Sequence, residues 1–287
     1  MANYQILTDS ASDLPAEMIA ALGVKVIPLT VNFRGKPQRD TTDEGLKELY
    51  DAWSKGESST TAAVNPSDWA KLMEPVLQNG EDILVLAFSS GLSTTYQSAQ
   101  IAAWDLQSKY PGRRICVTDT LCASLGQGLL VWYACKKRDE GLPLDKLTAW
   151  VEENKLHLCH WFTVSDLMYL KRGGRVSAAT ALVGTMLRIK PVLHVDNAGH
   201  LINMGKARGR KASIDALVDK FQETSGDYDN STVFICHGDC LEDAEYLKKT
   251  LIERCGPRNV VIGYTGAVIG SHSGPGTLAL FFMGDHR

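Results

Sequence analysis

The chain has 287 residues, 44% of them hydrophobic and 22% charged. These are the proportions of a soluble globular protein and exclude a disordered tail, a collagen-like chain and a coiled coil. Lys and Arg total 30 against 33 Asp and Glu, a net charge of −3, so no global basic field draws the protein onto nucleic acid or anionic membrane. The length suits two domains or one large one.

Residues 1–5 carry no basic segment ahead of an apolar stretch, so no secretory signal is expected. Residues 4–8 read as a buried strand. In the following Asp9-Ser10-Ala11-Ser12-Asp13-Leu14-Pro15, Asp13 is placed to cap a helix with Pro15 in its first turn, ending at Leu22 before Gly23. Residues 24–31 are strand-like and Arg34-Gly35-Lys36-Pro37 is a turn. A helix over 43–55 leads into a polar loop at 57–63, and Pro66 opens the next helix. The short apolar run 83–88 reads as a central parallel strand ending in Ser89-Ser90-Gly91-Leu92-Ser93. A helix over 94–109, a strand over 114–118 and a helix over 123–140 complete this half. Repeated strand, loop and helix predict an α/β domain with a parallel sheet, where ligands collect at the carboxyl ends of strands.

Gly141-Leu142-Pro143 begins a change of character. The domain boundary is placed between residues 141 and 157, giving an N-terminal α/β domain over 1–150 and a C-terminal α/β domain over 151–287. After another helix come a strand at 157–164, the segment 170–175, a small-residue helix, a strand at 191–195, and a turn at Asn197-Ala198-Gly199 with more strand. Two helices then alternate with strands at 232–236 and 259–265. Residues 259–284 lack Asp, Glu, Lys and Arg, but six glycines, Pro275 and His272 break the run, and it is rejected as a membrane helix.

No Gly-x-x-x-x-Gly-Lys-[Ser/Thr] is present, which excludes a P-loop. Gly274-Pro275-Gly276-Thr277-Leu278-Ala279 fits Gly-x-Gly-x-x-Ala, but too few residues follow for a dinucleotide unit. His157, Cys159 and His160 fall in a strand that turns alternate residues to opposite faces. Cys236, His237 and Cys240 have no second ligand pair, so no metal site is expected. Seven cysteines without a Cys-x-x-Cys pair suit free thiols in a reducing cytoplasm. Gly-x-Ser-x-Gly is absent, and Gly270-Ser271-His272-Ser273-Gly274 centres a histidine in an uncharged loop. That histidine is either structural or a close ligand contact. Ser93 reads as a helix N-cap, and Thr61 as a polar loop residue. Together, hydroxyls, backbone N–H groups and a positive helix end also compose a site for carboxylate or phosphate. Lys206, Arg208, Arg210 and Lys211 cluster, and Arg172 and Arg175 bracket a Gly-Gly pair. These are either a solvated face or a surface for an acidic partner or phosphorylated ligand.

The segment 9–15 resembles the opening motif of the DegV family. Residues 89–99 (Ser-Ser-Gly-Leu-Ser-Thr-Thr-Tyr-Gln-Ser-Ala) resemble its second motif and 119–128, ending Ala-Ser-Leu-Gly-Gln-Gly, its third. Residues 170–176 and 269–276 complete the series in family order. The resemblance implies a two-domain α/β DegV-like fold: a parallel-sheet N-terminal domain, a C-terminal α/β domain, and a ligand site between them. It implies one bound long-chain fatty acid such as palmitate, stearate or oleate, with no other cofactor. It also implies the role of lipid-binding subunit of bacterial fatty acid kinase, a cytoplasmic carrier whose bound carboxylate a separate ATP-using subunit phosphorylates for phospholipid synthesis. Carried over by motif, Thr61, Ser93 and His272 hold the carboxylate, and no residue of this chain is catalytic. Ala62, Thr94, Arg172, Arg175, Lys206 and Arg208 are candidate head-group or partner contacts. This chain departs from the family at Thr61-Ala62-Ala63-Val64, where the family favours Thr-Ser-Gln-Pro, and at Thr94, where it favours Gly. The alternative is a stand-alone hydrolase or acyl- or phosphotransferase using Ser93 and His272. A DNA-binding regulator has only the 206–211 cluster behind it.

Overall fold

Two strands made almost wholly of buried residues set the N-terminal architecture. The structure, a computed structural model, describes residues 3–39, 43–177, 188–285 and 287. Strands β1 (Tyr4–Asp9) and β6 (Asp82–Ala87) pair in parallel at the centre of a four-stranded sheet, flanked by β2 (Lys25–Ile27) and β7 (Ile115–Asp119) in the order β2-β1-β6-β7. The continuous apolar run of β6, residues 83–87, is what a sheet covered on both faces requires, whereas β1 buries the polar Thr8 and Asp9 beside Ile6 and Leu7. Helices α1 (Ala16–Leu22), α3 (Pro66–Gln78), α4 (Thr95–Lys109), α5 (Ser124–Asp139) and α6 (Leu144–Asn154) follow the expected segments closely. Asn65 Oδ1 accepts from the Asp68 N–H at 2.9 Å and Pro66 sits in the first turn, which explains where α3 starts.

Three local expectations are corrected. Residues 24–31 form two strands. Pro28 cannot donate to a ladder, and it separates β2 from β3 (Thr30–Phe33), which lies in a different, antiparallel sheet. The expected polar loop contains strand β5 (Ser59–Ala62), paired to β3 with Val31 opposite Thr61. The hairpin from β3 to β4 (Lys36–Gln38) turns at Arg34 and Gly35, both at positive φ. Asp13 does not cap α1, which starts after Pro15. Its backbone is left-handed, φ 51°, at the end of a short 3-10 turn, and this swings the carboxylate inward. Helix α2 (Asp43–Ser54) lies against the same region, and a short helix α7 (Met168–Arg172) follows further along the chain.

The C-terminal part is a mixed six-stranded sheet. Its strands are β8 (Leu158–Thr163), β9 (Ile189–Val195), β10 (Leu201–Arg208), β11 (Thr232–His237), β12 (Asn259–Tyr264) and β13 (Leu278–Met283), ordered β10-β9-β8-β13-β11-β12. Among its neighbouring pairs in the described residues only β11 and β12 are parallel. The uncharged run 259–284 therefore resolves into β12, the short helix α10 (Ala267–Ser273) and β13. No helix among the described residues is long and apolar enough to cross a membrane. The expected small-residue helix after Arg175 falls largely outside the described residues.

Strand alternation divides the core. Cys159, Trp161, Leu278, Leu280 and Phe282 pack with Leu217 of α8 (Arg210–Thr224) and Leu247 of α9 (Leu241–Cys255). The opposite face presents Phe162, Phe234, Ala279 and Phe281 to α5, whose Leu125 and Leu129 also join Ile6 and Leu84 of the parallel sheet. Helix α5 is thus buried between the two sheets, which is why residues 124–131 are buried without a polar face.

Candidate functional site

Helix α10 and the residue pair before it carry Thr265, Val268, Ile269, His272 and Ser273, spaced i, i+3, i+4, i+7 and i+8, onto the wall of one cavity. The cavity has a volume of about 440 Å³, within the range of roughly 300–1,000 Å³ usual for small-molecule sites. Its apolar wall includes Phe88, Leu92, Phe162, Val195, Leu201 and Phe281, so both sheets contribute. The lining comes from ends of parallel strands in the N-terminal part and from the α5-facing side of the mixed sheet.

Polar groups converge at one part of this wall. Thr61 Oγ1 and His272 Nε2 lie 2.7 Å apart in a hydrogen bond. Thr61 reaches inward because β5 alternates: Ser59 and Thr61 are half-buried while Thr60 and Ala62 face solvent. The first expectation for His272, a loop, is corrected, since α10 holds it and its ring packs against bare backbone. A Cβ on Gly173 would stand 2.3 Å from His272 Nδ1. Ser93 Oγ accepts from the Thr95 N–H at 3.2 Å and contacts Thr95 Oγ1 at 2.9 Å, so it caps the first turn of α4 from one residue outside the nominal cap, Thr94. Arg175 ties these pieces together. Its guanidinium donates to the Leu92 carbonyl at 3.1 and 3.3 Å, next to Ser93, and also to the Gly173 carbonyl, next to His272.

The electrostatics follow from burial. Desolvation, reinforced by the positive charge of Arg175, pushes the His272 imidazole down to about 4, so it is neutral near pH 7. A neutral ring has one N–H to donate. Burial also lowers Arg175 from the ordinary guanidinium value, yet it stays charged. A half-buried cation, hydroxyls and a neutral imidazole on an apolar cavity make a site that favours a single anionic head on an apolar body.

The DegV family model matches residues 3–285. The chain belongs to the DegV family. It is 44% identical over 289 residues to a DegV domain-containing protein of Clostridium perfringens, covering 100% of this chain and 99% of the relative. A Thermus thermophilus DegV family protein, described for fatty acid binding, superposes with TM-score 0.87 at 32% identity over 98% of this chain and 99% of its own. A Thermotoga maritima DegV lipid-binding protein superposes with TM-score 0.87 at 29% identity, covering 100% of each chain. The two-part α/β architecture is the DegV fold.

Against that fold, Thr61, Ser93, His272, Thr94 and Arg175 all line the cavity. Ala62 does not: it faces outward on β5, and Ala63 lines the wall instead. Arg172 stands exposed with its guanidinium 5.4 Å from the centre of the Tyr169 ring, outside the lining. Lys206 and Arg208 occupy exposed alternate positions of the edge strand β10, also outside it. Ser93 and His272 are engaged with Thr95 and Thr61 and not with each other, so the hydrolase alternative lacks its nucleophile–base hydrogen bond. His160 faces the cavity and Cys159 the opposite core, as alternation predicts. Among the described residues no three His, Cys, Asp or Glu side chains could hold a metal ion.

One cluster on the wall went unread in the sequence. Ser124, at φ 55°, donates from Oγ to Asp13 Oδ2 at 2.6 Å and lies 3.3 Å from Cys236 Sγ. Thr265 Oγ1 reaches the same sulfur at 3.1 Å. Burial pushes the Asp13 carboxyl up to about 7, against the pull of the Ser124 hydroxyl. Asp13 and Ser124 sit in two of the recognised motifs, but 111 residues separate them, and no local spacing joins them.

Proposed function

We propose that this DegV protein binds one long-chain fatty acid, such as palmitate, stearate or oleate, with its carboxylate at Thr61, Ser93 and His272 and its chain along the apolar wall. The observation that carries the reading is the pairing of an apolar cavity with the Thr61–His272 hydrogen bond beside Arg175. The fatty acid binding named for the Thermus relative supports it. Arg175 supplies the counter-charge, and Thr94 is a further head-group neighbour. On this reading residues 1–150 and 151–287 are two lobes around the ligand. The experiment is native mass spectrometry of protein purified without detergent, followed by denaturation. A retained adduct of roughly 250–285 Da, released on denaturing, is expected for a buried C16–C18 acid. Protein that stays bare even after palmitate and oleate are added would overturn the reading.

We also propose that the protein is not itself an enzyme and works in the cytoplasm, presenting the carboxylate to a separate ATP-dependent kinase subunit that forms an acyl phosphate for phospholipid synthesis. The family resemblance supports this, as does a head-group region whose side chains bind and orient but are not arranged as nucleophile and base. Free thiols at Cys122, Cys135 and Cys236 are at home in a reducing compartment. Arg172, Lys206 and Arg208 are then candidate contacts for the kinase. Acyl phosphate formed from loaded protein, the kinase subunit and ATP is the expected result. Its formation at the same rate from free fatty acid without this protein would refute the presenting role.

A further inference from the structure

Four hydroxyls on the cavity wall are buried: Ser124, Thr265, Ser273 and Thr277. Three are satisfied within the protein. Ser124 donates to Asp13, Thr265 to Cys236 Sγ, and Thr277 to the Gly274 carbonyl at 2.8 Å. Ser273 is the exception. It is 4% exposed, and its Oγ has no hydrogen-bond partner among the described residues. A serine in this position of a helix would ordinarily return its proton to a carbonyl one turn back, as Ser271 does to Ala267 at 2.7 Å. Most buried polar groups in native proteins are paired, and among the buried side-chain atoms left without a partner in the described residues, Ser273 Oγ is the one on the cavity wall, where a bound molecule can supply a partner. Ser273 follows His272 directly, on the same face of α10, so the group nearest to supply that partner is the head of the molecule held at His272.

We propose that Ser273 is a fourth head-group ligand, its hydroxyl turning about the Cα–Cβ bond to donate to a carboxylate oxygen of the bound fatty acid. The inference rests on the fatty-acid reading and deepens it. The Thr61–His272 bond spends one of that pair's two protons, so the pair, Ser93 and Ser273 offer three donors beside the Arg175 guanidinium to a carboxylate with two oxygens and about four lone-pair positions. A fatty alcohol brings its own donor and only one oxygen, so Ser273 discriminates acid from alcohol. Because the hydroxyl has no internal partner, its removal does not weaken the ligand-free fold. This separates a ligand contact from a structural residue.

The test compares delipidated wild-type, Ser273→Ala and Ser273→Thr proteins, titrated with palmitate and with 1-hexadecanol, and records the thermal midpoint of each without ligand. Ser273→Ala should bind palmitate about tenfold more weakly, a change of about 1.4 kcal/mol, and 1-hexadecanol as wild type does. Its ligand-free midpoint should be equal or higher, and Ser273→Thr should restore the preference for acid. Equal loss of both ligands, or palmitate binding unchanged in Ser273→Ala, overturns the assignment while leaving the fatty-acid reading intact. A wild-type protein that takes up neither ligand overturns both.

Discussion

Replacing His272 by Asn removes a titrating ring while keeping a side chain that can hydrogen-bond Thr61. The folded protein holds this imidazole down to about 4, through burial first and then the charge of Arg175. The unfolded chain protonates it near the ordinary value of 6.5. Between those values the unfolded state binds a proton that the folded state refuses, so acidification favours unfolding. The contribution is absent above about pH 7 and complete below about pH 4. At ~1.36 kcal/mol per pH unit, the gap between 6.5 and about 4 amounts to about 3 kcal/mol. Denaturant unfolding of ligand-free wild type and His272→Asn at pH 7.5, 6, 5 and 4 gives the difference directly. His160 and His194, also lowered by burial, act in both proteins and cancel. The stability of wild type relative to the variant should fall by about 3 kcal/mol across that window. A difference that stays constant with pH would refute the neutral imidazole in the folded protein.

Gly173→Ala places a methyl 2.3 Å from His272 Nδ1 at an ordinary backbone angle, so its effect is steric and falls on the ring. We expect the 2.7 Å bond to Thr61 to break, with palmitate affinity down at least about tenfold and stability down about 1–3 kcal/mol. Wild-type affinity in a titration would show that the ring position does not matter for binding. Asp13→Asn should act with the opposite pH sign to His272. Its folded value is raised from 3.8 to about 7, so the stability it contributes is complete below pH 3.8 and lost as pH rises to about 7, a change of about 4 kcal/mol. Relative to the Asn variant, wild type should therefore be more stable at pH 4 than at pH 7.5, read from denaturant midpoints. The reverse slope would mean that Asp13 is ionised in its buried position.

The sequence was most legible where local chemistry decides conformation. Helix α3 starts where Asn65 and Pro66 say it should, and α1 stops at Gly23, whose φ is 60°. It was least legible where burial on both sides erases periodicity: β13 has no polar face because two strands and two layers cover it, so its signal merged into the uncharged run 259–284. The loop assigned around Thr61 failed for another reason. Ser-Thr-Thr-Ala carries little apolar content, and its strand exists because β3 offers it a partner. Thr61, Ser93 and His272 were named from motifs, and their convergence on one wall depends on contacts 211 residues apart that no spacing encodes. Asp13 shows how a correct motif can carry a wrong local role: the residue looks like a cap, and the left-handed turn sends it to Ser124 instead.

On the proposed fatty-acid reading, the division of labour in the cavity follows from magnitudes. Burying roughly fifteen methylenes of a C16 chain is worth about 12 kcal/mol, against association costs of about 4–15 kcal/mol. The wall therefore supplies the attraction, and polar contacts are needed chiefly for orientation. That arrangement works only if polar side chains along the wall do not demand partners from the ligand's methylenes. Thr265, Ser124 and Thr277 meet this condition by bonding inward to Cys236, Asp13 and Gly274, so a wall containing hydroxyls behaves as an apolar one. At the other end Thr61, His272 and Arg175 are held by backbone and by one another, which fixes their positions before any ligand arrives. On that reading a carboxylate placed there has its orientation set at the cost of turning the Ser273 hydroxyl alone.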